Sequence, residues 1–230
     1  MAASTNSSCV GPQDAAGAHV ISVQNLSLSI HGSPVLRDVS LDLAEGRVTG
    51  LVGESGSGKS MTALAMMQLL PDGSDTQGRV LLDDTDLLTQ TEAQLCDMRG
   101  RDIGMIFQEP MTALNPVQSI GDQVAETMLV HGISSRSEAM DTARERLARV
   151  GLAPDRFPLS RYPHELSGGQ RQRVCIALAI ALRPRLLIAD EPTTALDVTT
   201  QKQILHLLKQ LNAKHDAGIM FITHDFGVVA

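Results

Sequence analysis

At 230 residues, with 43% apolar side chains, the chain is long enough to close a substantial core as one large domain or a domain with a subdomain. Its 19 Lys and Arg against 26 Asp and Glu leave a net charge of -7, and aromatic residues make up only 2%. Neither a basic footprint nor a stacking platform is present, so no nucleic acid is expected as the main partner. Cys9, Cys96 and Cys175 are isolated and odd in number, which excludes a disulfide framework and the common metal-ligand spacings.

Residues 1–19 lack the basic start and apolar centre of a signal peptide and read as a disordered tail ahead of a domain over residues 20–230. Ile21, Val23, Leu26, Leu28 and Ile30 alternate with polar residues, and two more short apolar runs flank Glu45 and Gly46, so the opening is β-rich and antiparallel. Residues 48–52 form a strand that leads into a Gly-rich loop, and the helix formers after Lys59 run to a stop at Pro71. A strand follows over 103–107, after which Pro110 and Pro116 predict an irregular segment in "EPMTALNP". Two helical stretches closed by Gly132 and Gly151 make a helical subdomain over about 112–163. Beyond it come a helix from about 170 to 182, a strand over 186–189, an amphipathic helix over 198–212 and a strand over 219–223. Short apolar strands alternating with helices imply an α/β fold with a mainly parallel, doubly covered core sheet. The most apolar stretch, 174–189, is broken by Arg183, Pro184 and Arg185. It falls short of the roughly 20 residues that span a bilayer, so a membrane role has to come through a partner.

Gly53, Glu54, Ser55, Gly56, Ser57, Gly58, Lys59 and Ser60 fit G-x-x-x-x-G-K-[ST]. The glycines let backbone N–H groups wrap phosphates, Lys59 reaches the terminal ones, and the Ser60 hydroxyl is a Mg²⁺ ligand. The strand of "RLLIADEP" delivers Asp190 and Glu191 to its carboxyl end, where open α/β sheets bind ligands. Asp190 is placed for the Mg²⁺ shell and Glu191 to orient and deprotonate an attacking water. Gln108 and His224 follow their own strands and reach the same edge, Gln108 toward metal and water, His224 toward a γ-phosphate. A second glycine turn, Ser167, Gly168, Gly169 and Gln170, opens a helix and offers another anion site.

Taken with "ALD" ending at Asp197, these motifs resemble, in order and over nearly all of the chain after the tail, the nucleotide-binding subunit of an ABC transporter. "EPMTALNPV" and "YPHELSGGQRQRV" are similar to ATPases of the oligopeptide, dipeptide and nickel import branch. The resemblance implies a P-loop NTPase (ABC ATPase) that binds ATP and Mg²⁺ and hydrolyses ATP to energise import of a peptide or related small solute. It implies a second ATPase domain as partner, head to tail, so that Ser167, Gly168, Gly169 and Gln170 contact the γ-phosphate held by the other subunit, with Asp197 near the seam. It further implies membrane permease subunits, an extracytoplasmic solute-binding protein acting indirectly, and a peripheral place on the cytoplasmic face of the plasma (inner) membrane. Met111 and Leu114, set between Pro110 and Pro116, and Val117 just after them are expected on the surface that meets the permease.

Where the family offers an aromatic ring for adenine, this chain has Ile30 with His31 beside it. The chain stops six residues after His224, where the family continues, which leads to the expectation of a longer or tandem protein. The alternative reading is a soluble ABC-type ATPase acting on DNA or ribosomes. Against it stand the acidic balance and the lack of a long charged insertion between Ser60 and Leu166.

Overall fold

A computed structural model describes residues 19–194, 196–215 and 217–225, in all but the side chains of Met111, Lys214 and His215. The tail expected over 1–19 lies outside the described residues except for His19, which opens the first strand by pairing with Ala44.

Strands β1 (His19–Ile30) and β2 (Ser33–Ala44) form a hairpin whose two turn residues, His31 and Gly32, both take positive φ (48° and 78°), the twist-matched choice for a two-residue connection. A further strand, Ser74–Leu82, pairs along the other side of β1, and the short Thr85–Asp86 completes an antiparallel sheet; numbered in chain order these are β4 and β5, and the sheet order is β2-β1-β4-β5. The expected alternation in β1 holds, with Ile21, Val23, Leu26 and Leu28 buried, but the register slips between Val23 and Leu26, where Asn25 takes φ 51°. Gly78 of β4 (φ 101°) crosses so close to this bulge that an added Cβ would stand 2.5 Å from the Asn25 carbonyl oxygen. Polar "SDTQG" hides β4 from an alternation test, since the structure buries only Val80 and Leu82 of its apolar residues.

The second sheet consists of β3 (Val48–Val52), β6 (Ile103–Ile106), β7 (Leu186–Asp190) and β8 (Gly218–Thr223), all parallel in the order β3-β8-β7-β6. Every residue of β7 and β8 is buried, because both faces are covered. Leu186, Ile188, Met220 and Ile222 join the antiparallel sheet, helix α1 (Lys59–Met66) and Leu95 in one core, while Leu187, Ala189, Ile219 and Phe221 join the helices from residue 120 onward in the other. Arg185, just before β7, ties the two sheets by donating to Asp83 at 2.7 Å and Glu45 at 2.6 Å, and those bonds push its pKa further up.

Helix α1 stops well short of Pro71. Gln68 turns left-handed (φ 52°), the Leu69 N–H reaches the Leu64 carbonyl, and Arg99 donates to the Met67 and Gln68 carbonyls, each at 2.9 Å. Arg99 follows α2 (Glu92–Met98), opened by a Thr91–Gln94 capping box. The expectation of an irregular "EPMTALNP" needs correction, since Pro110–Ala113 makes one helical turn, α3, with Pro110 at the first position, where no N–H is needed. Leu114 is likewise buried rather than surface-exposed, whereas Val117 is 82% exposed.

α4 (Ile120–Val130) and α5 (Arg136–Arg149) begin on Ser119 and Ser135 caps and end at Gly132 and Gly151, both with positive φ, as the glycine signals predicted. α6 (Gly168–Ala179) packs against α3, α4, α5 and β6, and α7 (Val198–His215) leads into β8.

Candidate active site

Residues 53–60 leave β3 and enter α1, so the loop sits at the positive end of the helix. No acidic side chain occupies the first turn of α1 and no side chain caps it, which leaves that positive end for a ligand. Gly56 and Gly58 hold φ of 81° and 90°, and a Cβ on Gly58 would stand 2.5 Å from the Leu36 Cδ2 of β2. The buried Lys59 ammonium donates to the Gly53 and Glu54 carbonyls at 2.8 and 2.7 Å, so the loop is curled around its own cation.

Beside it, the Ser60 hydroxyl donates to Asp190 Oδ1 at 3.0 Å. The next residue, Glu191, takes φ 45°, a strained position for a side chain of its size, held by its N–H to the Ile222 carbonyl at 3.0 Å. Three donors converge on its carboxylate. Gln108 Nε2 and Thr194 Oγ1 each lie 3.0 Å from Oε2, and His224 Nδ1 lies 3.1 Å from Oε1. The parallel register explains the meeting: Ile106 pairs with Ala189, so Gln108 and Glu191 leave adjacent strands at the same level, and Val52 pairs with Thr223, so His224 leaves β8 level with the loop.

The two acidic neighbours are driven apart. Burial pushes the Asp190 carboxyl up, and together with the nearby Glu191 charge it outweighs the hydrogen bond from Ser60 and the charge of Lys59. Burial also acts to raise Glu191, but the bonds from His224 and Thr194, with the charges of His224 and Lys59, outweigh it and hold this carboxyl below its usual range. Glu191 is thus ionised at neutral pH, as a proton acceptor has to be.

Ser60 and Asp190 suit a small hard cation: a hydroxyl and a buried carboxylate, adjacent and close to a phosphate loop, match the sparse protein contribution that Mg²⁺ takes when substrate phosphates supply the rest. Among the described residues no group of three His, Cys, Asp or Glu side chains forms a ready metal cage. Gln108 directs its amide nitrogen to Glu191.

A second locus lies where α6 and α7 begin. Ser167 caps α6 reciprocally with Gln170, at 3.3 and 2.9 Å, leaving Gly168 and Gly169 with first-turn N–H groups that no helical carbonyl can reach. Asp197 caps α7 by accepting from Thr199 and Thr200, and the hydroxyl bond from Thr200 does most to hold its carboxyl low. Gly169 has to be glycine here, because a Cβ would stand 2.5 Å from Thr200 Cγ2. His31 donates its backbone N–H to the Gly73 carbonyl at 2.9 Å and lays its imidazole over that glycine. Thr194 was not singled out from the sequence, because its bond to the Glu191 carboxylate depends on how the turn between them folds.

The family model described as "ABC transporter" matches residues 36–194. The chain belongs to the ABC transporter family. It is 51% identical over 216 residues to the peptidoglycan transport ATP-binding protein YejF of Agrobacterium fabrum, which covers 91% of this chain and 40% of that protein. It is 50% identical over 222 residues to the glutathione import ATP-binding protein GsiA of Salmonella typhimurium, covering 92% and 36%. The chain therefore spans about two fifths of the length of these curated relatives. Among solved structures it superposes on the dimeric ATP-binding cassette MJ0796, in a post-hydrolysis state bound to ADP and Pi, with TM-score 0.77 and 32% identity over 90% of this chain and 89% of that one. The cbiO1 subunit from Clostridium perfringens, part of the cbiONQ ABC transporter complex, gives TM-score 0.77 at 27% identity, covering 92% and 80%. The antiparallel sheet, parallel sheet and flanking helices of this ABC chain are thus the architecture of a P-loop cassette.

Proposed function

We propose that this chain is the ATP-binding and ATP-hydrolysing cassette of an importer for peptides or a related small solute. The observation that carries the reading is the meeting of Ser60, Asp190, Glu191, Gln108 and His224 beside the Gly-rich loop. The loop N–H groups and Lys59 take the phosphates, with Lys59 exchanging the Gly53 and Glu54 carbonyls for phosphoryl oxygens. Ser60 and Asp190 would hold Mg²⁺, which when bound neutralises charge on the phosphoryl oxygens. Glu191 orients a water and accepts its proton as the water oxygen bonds to the γ-phosphorus and the bond to the ADP oxygen breaks. His224 turns from Glu191 to donate to the γ-phosphate, and Gln108 turns toward the water and metal.

The locus at Ser167, Gly168, Gly169, Gln170 and Asp197 acts on the nucleotide of a second cassette, a reading supported by the dimeric relative. Permease subunits dock at the cleft between the α3 segment and α4, lined by Ala113, Asn115, Glu126, Val130 and His131 and flanked by exposed Val117 and Ile133. Among the described residues no helix is long and apolar enough to cross a membrane. In this reading the permease subunits hold the cassette peripherally, on the cytoplasmic face. Likeness to YejF and GsiA supports a peptide-type solute. The test is phosphate release from ATP by the purified protein with and without Mg²⁺, and import of labelled peptide or glutathione by cells lacking the gene. Turnover that needs Mg²⁺ and import lost with the gene are expected; no phosphate release at all would refute the reading.

A further inference from the structure

We propose that Thr194 is a positioning residue that aims the Glu191 carboxylate, an inference that rests on the ATPase reading above. Thr194 returns to Glu191 twice. Its N–H donates to the Glu191 carbonyl at 3.1 Å, closing a four-residue turn through Pro192, and its hydroxyl donates to Oε2 at 3.0 Å. The other two donors on this carboxylate come from different elements, Gln108 after β6 and His224 after β8. In the proposed cycle both leave Glu191 to meet the nucleotide and water.

Thr194 differs in kind. It sits on the same turn as Glu191, three residues along, and travels with it, so its bond does not depend on what Gln108 and His224 are doing. The backbone at Glu191 is fixed by its left-handed φ of 45° and its N–H bond to Ile222, which leaves the side-chain torsions as the remaining freedom. A hydroxyl holding Oε2 removes most of that freedom and leaves Oε1, the oxygen facing His224, as the one released to the water when His224 moves. Losing the hydroxyl lets the carboxylate swing, and a misplaced acceptor costs rate without weakening nucleotide binding.

The experiment compares the unsubstituted protein with Thr194→Val, which keeps shape and removes the donor, and Thr194→Ser, which keeps the donor. Both substitutions are made alone and on a Glu191→Gln background. Thr194→Val is expected to lower kcat about ten-fold with KM for ATP unchanged within about two-fold. Thr194→Ser is expected to restore kcat to within about two-fold, and on the Glu191→Gln background neither substitution changes the residual rate further. A Thr194→Val protein with normal kcat, a loss that serine does not repair, or an equal ten-fold fall on the Glu191→Gln background would each overturn the proposal. Absence of turnover in the unsubstituted protein would overturn the ATPase reading itself, a failure visible before any variant is made.

Discussion

Gln108 and Glu191 stand 83 positions apart in the chain, yet the Gln108 amide nitrogen lies 3.0 Å from Glu191 Oε2. The bond crosses from the end of β6 to the end of β7, so the segment that follows Gln108, including α3 and the cleft beside α4, is mechanically joined to the acidic side chain at the phosphate site. If nucleotide draws Gln108 away from Glu191 as proposed, the surface proposed to meet the permease is expected to shift with it, and docking there to bias the site in return.

Glu191→Gln keeps the size of the side chain and removes its charge. Turnover is expected to fall by at least about a hundred-fold, while nucleotide affinity stays within about three-fold of the unsubstituted protein. Phosphate release and equilibrium binding of a labelled nucleotide separate the two effects. Unchanged hydrolysis would remove Glu191 from the role of proton acceptor.

Ser167→Arg places a bulky cation at the start of α6, far along the chain from the Gly-rich loop. Nucleotide binding to the isolated chain is expected to persist, and ATP-driven pairing and hydrolysis to be lost. Size-exclusion chromatography with ATP, on an otherwise hydrolysis-deficient background, reads the pairing directly. Loss of nucleotide binding by the monomer would show that the turn serves its own site.

Gly104 in β6 leaves no room for a side chain, since a Cβ would stand 2.3 Å from the Ala179 carbonyl oxygen and 2.9 Å from Pro184 Cγ. The obstacle is backbone at the end of α6, which cannot move aside as a side chain does. Gly104→Ala is expected to destabilise the fold by about 1–3 kcal/mol, read as a lower denaturant midpoint.

The two described cysteines should behave oppositely. Cys96 is exposed on α2, whereas burial pushes the Cys175 thiol of α6 up to about 12. A thiol-specific reagent at neutral pH is expected to modify Cys96 rapidly and Cys175 only on unfolding. The raised folded-state pKa has a definite sign. Its contribution to stability is fully present below about pH 9 and is lost as pH rises toward 12, by about 4 kcal/mol at most. Cys175→Ala is expected to flatten that alkaline loss in urea unfolding measured across this range.

What could be read from residues alone was whatever depends on neighbours in sequence. The Gly-rich loop declares itself because phosphate binding by backbone N–H groups requires glycines at set spacing, and Gly132 and Gly151 mark helix ends because left-handed caps favour that residue. The apolar runs over 186–189 in β7 and 219–222 in β8 announced a doubly covered sheet for the same local reason. Strand β4 stayed hidden because few of its side chains are buried. The end of α1 was misplaced because a distant arginine, Arg99, satisfies the carbonyls there.

The order β3-β8-β7-β6, and with it the meeting of Gln108, Thr194 and His224 on one carboxylate, was decided only by tertiary structure. Hydrogen-bond register between strands far apart in the chain sets which strand ends lie level, and no spacing within a single segment encodes that. The sequence by itself thus determined which chemical groups the protein owns and where its strongly patterned strands and helices lie. The fold decided that Glu191 is held by three donors while Asp190, one residue away, is paired with Ser60, because burial and register give adjacent carboxylates different surroundings.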